Sequence, residues 1–314
     1  MNYRAIGSLS VSTVGIGTNN FGTRLDRAQS SAVVHAALDN GITFFDTSNS
    51  YGISSRDHES DSERFLGSAL GARREQAIIA TKFGFPLNPE PHEAHPANLR
   101  RACEDSLRRL GTDYIDLYQL HFPDDTVTFE ETLGGLQELV DQGLVREVGA
   151  CSLNGEMIRS IATGTSPLKF SSMQNQYSLL WREPETDGVL DECAQRGIAI
   201  LPFYPLANGL LTGKIRPGEP IPEGTRLALM DEGRKGHWLK DEFQLLLGQL
   251  LTLSTEINVP MLTLAFSWLL SHPPVSSVIA GASTPEQVLA NATAVIELSD
   301  ELRQQLDNIT AVRE

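Results

Sequence analysis

The chain has 314 residues, and its 40 acidic against 25 basic side chains give a formal charge of -15, a field that excludes nucleic acid and anionic membrane as partners. A hydrophobic fraction of 40% supports one sizeable core, and no apolar run approaches the roughly 18 residues of a membrane-spanning helix. Cys103, Cys151 and Cys193 are an odd set without close pairing, and the N-terminus lacks the basic-then-apolar layout of an export signal. A reduced, cytoplasmic protein is predicted.

In chain order, short apolar runs occur at Thr13–Gly17, Ile42–Asp46, Ala77–Lys82, Tyr114–His121, Val145–Cys151, Phe170–Asn175, Ile198–Phe203 and Ser276–Ala280. Segments with helical spacing lie between most of them, beginning with the stretch from Ala28 to Leu38. Continuous apolar runs alternating with amphipathic helices predict a parallel sheet buried on both faces. Eight such units fit a closed (β/α)8 barrel better than an open sheet. Helix starts are legible at Asp26 with Gln29, at Thr128 with Glu131, and at Thr284 with Pro285. Helix ends are marked by Gly41, Gly111, Gly143 and Gly197, each just before the next apolar run. Two stretches break the rhythm: Pro86 to Pro96, rich in proline, after the third run, and Asn208 to about Gly236 after the seventh. Both read as long loops. No linker divides the chain, so residues 1–314 are expected to form a single domain.

Reacting groups in such a barrel sit at the C-terminal ends of the strands. The second, third and fourth runs end in Asp46, Lys82 and His121, an acid, an amine and an imidazole on one rim. Tyr51 follows Asp46 by five residues and can fold over the same mouth. A free phenol titrates near 10, a poor match to neutral pH. A neighbouring ammonium is expected to lower that value, and a carboxylate to keep the ammonium charged. This set suits carbonyl reduction, where negative charge appears on oxygen as hydride reaches carbon. It lacks the activated Ser or Cys of a hydrolase. The pair Gly15 and Gly17 has no third glycine for a dinucleotide-binding turn, and His92 and His95 lie in the proline-rich loop, so no metal is expected.

Several motifs together resemble the aldo-keto reductase superfamily, in particular its bacterial members and the potassium-channel β-subunit-like branch. They are Gly15 to Thr18, Gly41 to Thr47 with Tyr51-Gly52, Ala80 to Lys82, Ser106 to Tyr118 with His121, Pro205 to Ala207 with Gly209 to Lys214, and Gly281 to Ser283. The resemblance covers nearly the whole chain. It implies a (β/α)8 barrel with a short N-terminal β-hairpin that reduces aldehydes or ketones reversibly with a nicotinamide cofactor. Tyr51 would be the general acid, Lys82 and Asp46 its tuning pair, and His121 the group that orients substrate. The cofactor would meet Gly17, Thr18, Asp46, Cys151, Ser152, Gln174, Phe203, Tyr204, Pro205, Leu206, Gly209, Lys214, Arg226, Gly281, Ser283, Gln287 and Asn291. Within that set Gln174 would hold the carboxamide and Phe203 would stack on the nicotinamide. Residues Phe203 to Lys214 would wrap the pyrophosphate, and the helix N-terminus at Thr284 would offer free N–H groups to a phosphate.

The chain departs from the family pattern at Cys151-Ser152, where Ser-Asn is usual, at Gly281 and Gln287, where some branches carry Lys and Arg, and at Ala290, where Glu is common. Lys214 and Arg226 supply positive charge for a 2′-phosphate, so NADP(H) is expected ahead of NAD(H). Asn20, Phe21, Phe83 and Phe85 are expected to line a substrate pocket suited to hydrophobic or aromatic carbonyls. The segment Ile53 to Asp61 is longer than usual, and the sequence does not tell its role. The alternative is a barrel that binds cofactor and acts as a regulatory or partner protein with little turnover; the complete acid–amine–imidazole–phenol set argues against it.

Overall fold

Along a barrel strand, successive side chains point alternately inward and out toward the helices, and that alternation sorts this sequence into two apolar layers. The computed structural model describes residues 1–54, 59–85 and 94–311. Strands β1 (Tyr3–Ile6) and β2 (Leu9–Ser12) pair antiparallel as the expected hairpin. Eight parallel strands follow: β3 (Val14–Gly17), β4 (Phe44–Asp46), β5 (Ile78–Phe83), β6 (Ile115–Leu120), β7 (Val145–Cys151), β8 (Ser172–Gln174), β9 (Ala199–Ile200) and β10 (Val278–Gly281). Each pairs with its neighbour in chain order, and β10 returns to β3. The remaining seam closes where the Ile200 N–H donates to the Pro274 carbonyl at 2.7 Å and the Ser276 N–H donates to the Ile200 carbonyl at 3.0 Å. The chain is thus the (β/α)8 barrel expected. The seventh apolar run yields only a short strand, since Pro202 has no N–H for the ladder.

Phe44, Ala80, Leu117, Leu201 and Ile279 fill the barrel interior, and Ile6, Leu9 and Val11 of the hairpin pack beneath them. Phe45, Ile79 and Tyr118, one position away from Phe44, Ala80 and Leu117 on the same strands, face the helices instead, as does Val148 of β7. The helices begin where the capping signals stand. Asp26 and Gln29 exchange side-chain and backbone bonds at the start of Arg27–Asp39, as do Thr128 and Glu131 before Phe129–Asp141. Gly111 ends Pro96–Leu110 with a left-handed φ of 64°. From that helix Arg109 reaches the buried Glu63 at 2.5 Å, and Glu63 accepts from Thr81 beside Lys82. No single helix among the described residues is long and apolar enough to cross a membrane. The proline-rich loop ends at the helix starting with Pro96; its residues 86–93, with His92, and residues 55–58 of the segment after Tyr51 lie outside the described residues. After β9 the chain makes a short helical turn, Ala207–Thr212, and no further helix until Glu232.

Candidate active site

The inward alternation that places Phe44, Ala80 and Leu117 in the barrel continues to Asp46, Lys82, Gln119 and His121 at its C-terminal end. Lys82 is fully buried, and its Nζ donates to Asp46 Oδ2 at 2.7 Å, to the Thr47 carbonyl at 2.8 Å and to Tyr51 Oη at 3.4 Å. Tyr51 and His121 meet edge to face with ring centroids 5.9 Å apart, and His121 Nδ1 lies 3.3 Å from Ser48 Oγ. The structure therefore brings together the four residues Asp46, Tyr51, Lys82 and His121.

Tyr51 is held by a net of hydroxyls beneath its loop. Ser60 donates to the carbonyls of Ser48 and Tyr51 at 2.9 and 2.7 Å, and Ser62 joins Thr47 and Thr18 at 2.9 and 2.7 Å. Gly52, at φ 62°, leaves no room for a Cβ against the Phe21 carbonyl. Any side chain there would push the loop that carries Tyr51.

Burial pushes the Tyr51 phenol up to about 12, against the pull of the Lys82 ammonium, while Asp46 adds to the rise. The expectation that Lys82 brings the phenol below its ordinary value is thus corrected: desolvation of the phenolate outweighs one nearby cation. The phenol therefore keeps its proton. Burial alone would lower the Lys82 ammonium, but Asp46 and Tyr51 more than offset it and hold the lysine charged. Burial, reinforced by Lys82, pushes His121 down to about 3, so its imidazole is neutral. Burial also pushes the Cys151 thiol up to about 12, which makes it an unreactive wall residue.

Asp46, Tyr51, His121 and Cys151 open onto one cavity of about 730 Å³, with Lys82 buried behind them. Its wall includes Gly17, Cys151, Ser152, Gln174, Phe203, Tyr204, Pro205, Leu206, Gly209, Lys214, Arg226, Gly281, Ser283, Gln287 and Asn291. Tyr204, Ala207, Asn208 and Gly209 all take positive φ, which bends this stretch tightly around the rim. The Arg226 guanidinium lies over the Tyr204 ring at 4.7 Å and donates to its hydroxyl at 3.1 Å. Asn208 Oδ1 and Asn291 Nδ2 are buried without a partner among the described residues, and both residues line the cavity. Such orphaned polar atoms fit an elongated polar ligand that completes them. A dinucleotide fits this donor set: Gln174 and Ser152 near one end, Lys214 and Arg226 as cations, and Asn291 with Ser283 at the other. Among the described residues no cluster of His, Cys, Asp and Glu is placed to hold a metal ion.

Three expected residues stand elsewhere. Thr18 is fully buried and bonds to Ser62, which makes it part of the net under Tyr51. Phe21 and Phe83 are fully buried in the layer between sheet and helices, with Phe83 packed on Tyr118 at 4.6 Å. Alternation could have shown this for Phe83, because it follows the inward Lys82. The cavity wall beside His121 instead has Phe85 and Phe122, with ring centroids 5.3 Å and 4.9 Å from the His121 ring, whereas Asn20 lines the cavity beside Ser283, to whose hydroxyl it donates at 3.4 Å. Phe122 and Arg24, which also lines the wall, carried no sequence signal. The helix N-terminus at Thr284 is less open than expected. Its Gln287 N–H is taken by the Thr284 hydroxyl, and the Gln287 side chain takes the Ser283 N–H at 2.7 Å.

A model of the aldo/keto reductase family matches residues 13–311. L-glyceraldehyde 3-phosphate reductase of Escherichia coli O157:H7 is 32% identical over 309 residues, which cover 95% of this chain and 89% of that protein. A probable voltage-gated potassium channel subunit beta of Arabidopsis thaliana is 29% identical and covers 94% and 91%. Among solved structures, the holo form of aldo-keto reductase AKR11C1 from Bacillus halodurans is similar with a TM-score of 0.80. It is 32% identical and covers 100% of this chain and 98% of that one.

Proposed function

The chain belongs to the aldo/keto reductase family, and on that premise we propose that it reduces aldehydes or ketones to alcohols with NADPH, using Tyr51 as proton donor. The observation that carries this reading is the buried line from Asp46 through Lys82 to Tyr51, at 2.7 and 3.4 Å, ending at the cavity beside a neutral His121. When bound, the reduced nicotinamide supplies hydride to the carbonyl carbon. As charge gathers on the carbonyl oxygen, Tyr51 Oη gives up its proton. An alkoxide is a much stronger base than a phenolate, so the transfer runs downhill even from a phenol pushed up to about 12. Lys82 then stabilises the phenolate, and Asp46 holds Lys82 in place. His121, being neutral, can hydrogen-bond the carbonyl oxygen without adding charge to a buried site.

NADPH is preferred over NADH in this reading because Arg226 and Lys214 stand on the cavity wall with no carboxylate partner among the described residues. Phe85 and Phe122 flank His121 and favour hydrophobic or aromatic carbonyls at the proton-donating end. Fluorescence titration with NADPH, followed by turnover of 4-nitrobenzaldehyde, tests the proposal. Binding with turnover is expected. Binding without turnover would leave only a cofactor-holding barrel, and absence of binding would remove the dinucleotide altogether.

A further inference from the structure

Gln119 lies on the inward face of β6, two residues before His121, and its side chain is fully buried. Its Nε2 donates to Asp46 Oδ1 at 3.2 Å. Gln174 Nε2 donates to the same oxygen at 2.8 Å and lies 3.4 Å from Gln119 Oε1. Asp46 Oδ2 is already taken by Lys82. A carboxylate facing an ammonium accepts only, so each amide must turn its nitrogen toward Asp46. Both N–H groups of Gln174 are then occupied, one by Asp46 and one by Gln119. Its Oε1 has no protein partner among the described residues, and Gln174 lines the cavity. The room for this arrangement comes from Gly149 on β7. A Cβ there would overlap Ser172 Oγ and stand 3.2 Å from Gln119 Cγ.

We infer that Gln119 is a positioning residue that locks the Gln174 amide so that it presents only an acceptor to the cavity, selecting a ligand that offers an N–H donor there. This rests on the proposal that the cavity holds a nicotinamide cofactor, whose carboxamide carries such a donor. The same bonds give Asp46 Oδ1 two donors, which tie the amide pair to the carboxylate that orients Lys82. Without Gln119 the second N–H of Gln174 is free to turn toward the cavity, and Asp46 loses one of its two amide donors.

The test compares NADPH with its 3-acetylpyridine analogue, in which a methyl ketone replaces the carboxamide and removes the N–H. Dissociation constants are read by fluorescence for wild type, Gln119→Leu and Gln119→Met, with thermal melting of each. Wild type should bind the analogue about tenfold or more weakly than NADPH, since an acceptor would face an acceptor. In the Gln119 variants that ratio should fall toward one. The pH–rate profile should also shift, because Asp46 then bears differently on Lys82. A merely structural role would lower the melting temperature and leave both the ratio and the profile unchanged, and that result would overturn the inference. Wild type alone also decides: equal binding of both dinucleotides sinks the locked amide, whereas binding of neither sinks the cofactor reading. A variant that fails to fold therefore leaves the wild-type comparison as the deciding measurement.

Discussion

Replacing Tyr51 with phenylalanine removes one oxygen whose only protein hydrogen bond among the described residues is the 3.4 Å contact from Lys82. Lys82 keeps Asp46 at 2.7 Å and the Thr47 carbonyl at 2.8 Å, so no buried charge is left unpaired. Loss of one long hydrogen bond costs about 1 kcal/mol or less, which moves the melting temperature by no more than about 4 °C in a chain of this size. The ring remains, so its edge contact with His121 and the shape of the cavity are kept. Loss of a positioned acid lowers the rate by about 10²–10⁴, equivalent to about 3–5 kcal/mol in the barrier. Reduction of 4-nitrobenzaldehyde, followed through NADPH absorbance, should therefore fall by that factor while the NADPH dissociation constant stays near wild type. A Tyr51→Phe rate within tenfold of wild type, with binding intact, would refute the role of the phenol.

Lys82→Met should abolish most activity and also destabilise the fold. It strands the carboxylate of Asp46, which is 3% exposed, and breaking such a buried pair costs about 3–5 kcal/mol; a pH–rate profile matching wild type would remove Lys82 from the mechanism. Arg226→Ala should raise the dissociation constant of NADPH about tenfold or more and leave that of NADH unchanged, as expected for loss of a charge-assisted bond to the 2′-phosphate. Equal weakening of both cofactors would assign Arg226 to the shared part of the dinucleotide. The pH dependence of reduction has a definite sign. Tyr51, pushed up to about 12, acts while protonated and is lost only above that value; His121, pushed down to about 3, acts while neutral and is lost only below that value. Neither group should therefore contribute a limb to kcat/KM between about pH 5 and 9. A limb near 6.5 that vanishes in His121→Asn would show that burial does not hold the imidazole neutral.

The eight strands, both capping boxes and the left-handed glycine after residue 110 were legible because each depends on neighbours in sequence: strand alternation, an N-cap with its third helical residue, a Cβ-free turn. Asp46, Lys82 and His121 were legible for the same reason, as polar residues closing apolar runs. Gln119 was open to the same alternation, two positions before His121, yet its meaning depends on Asp46 and Gln174 arriving from other strands. Phe83 was open to that alternation as well, one position past the inward Lys82, whereas only the packed layers decided that Phe21 faces helices and that Phe122 and Phe85 flank the imidazole. The sharpest divide is at Tyr51. By itself the sequence determined that a phenol, an ammonium and a carboxylate share a rim, from which a lowered phenol pKa follows. Tertiary structure decided the balance, because the burial that desolvates the phenolate is made by residues far apart in the chain, and it outweighs the lysine 3.4 Å away.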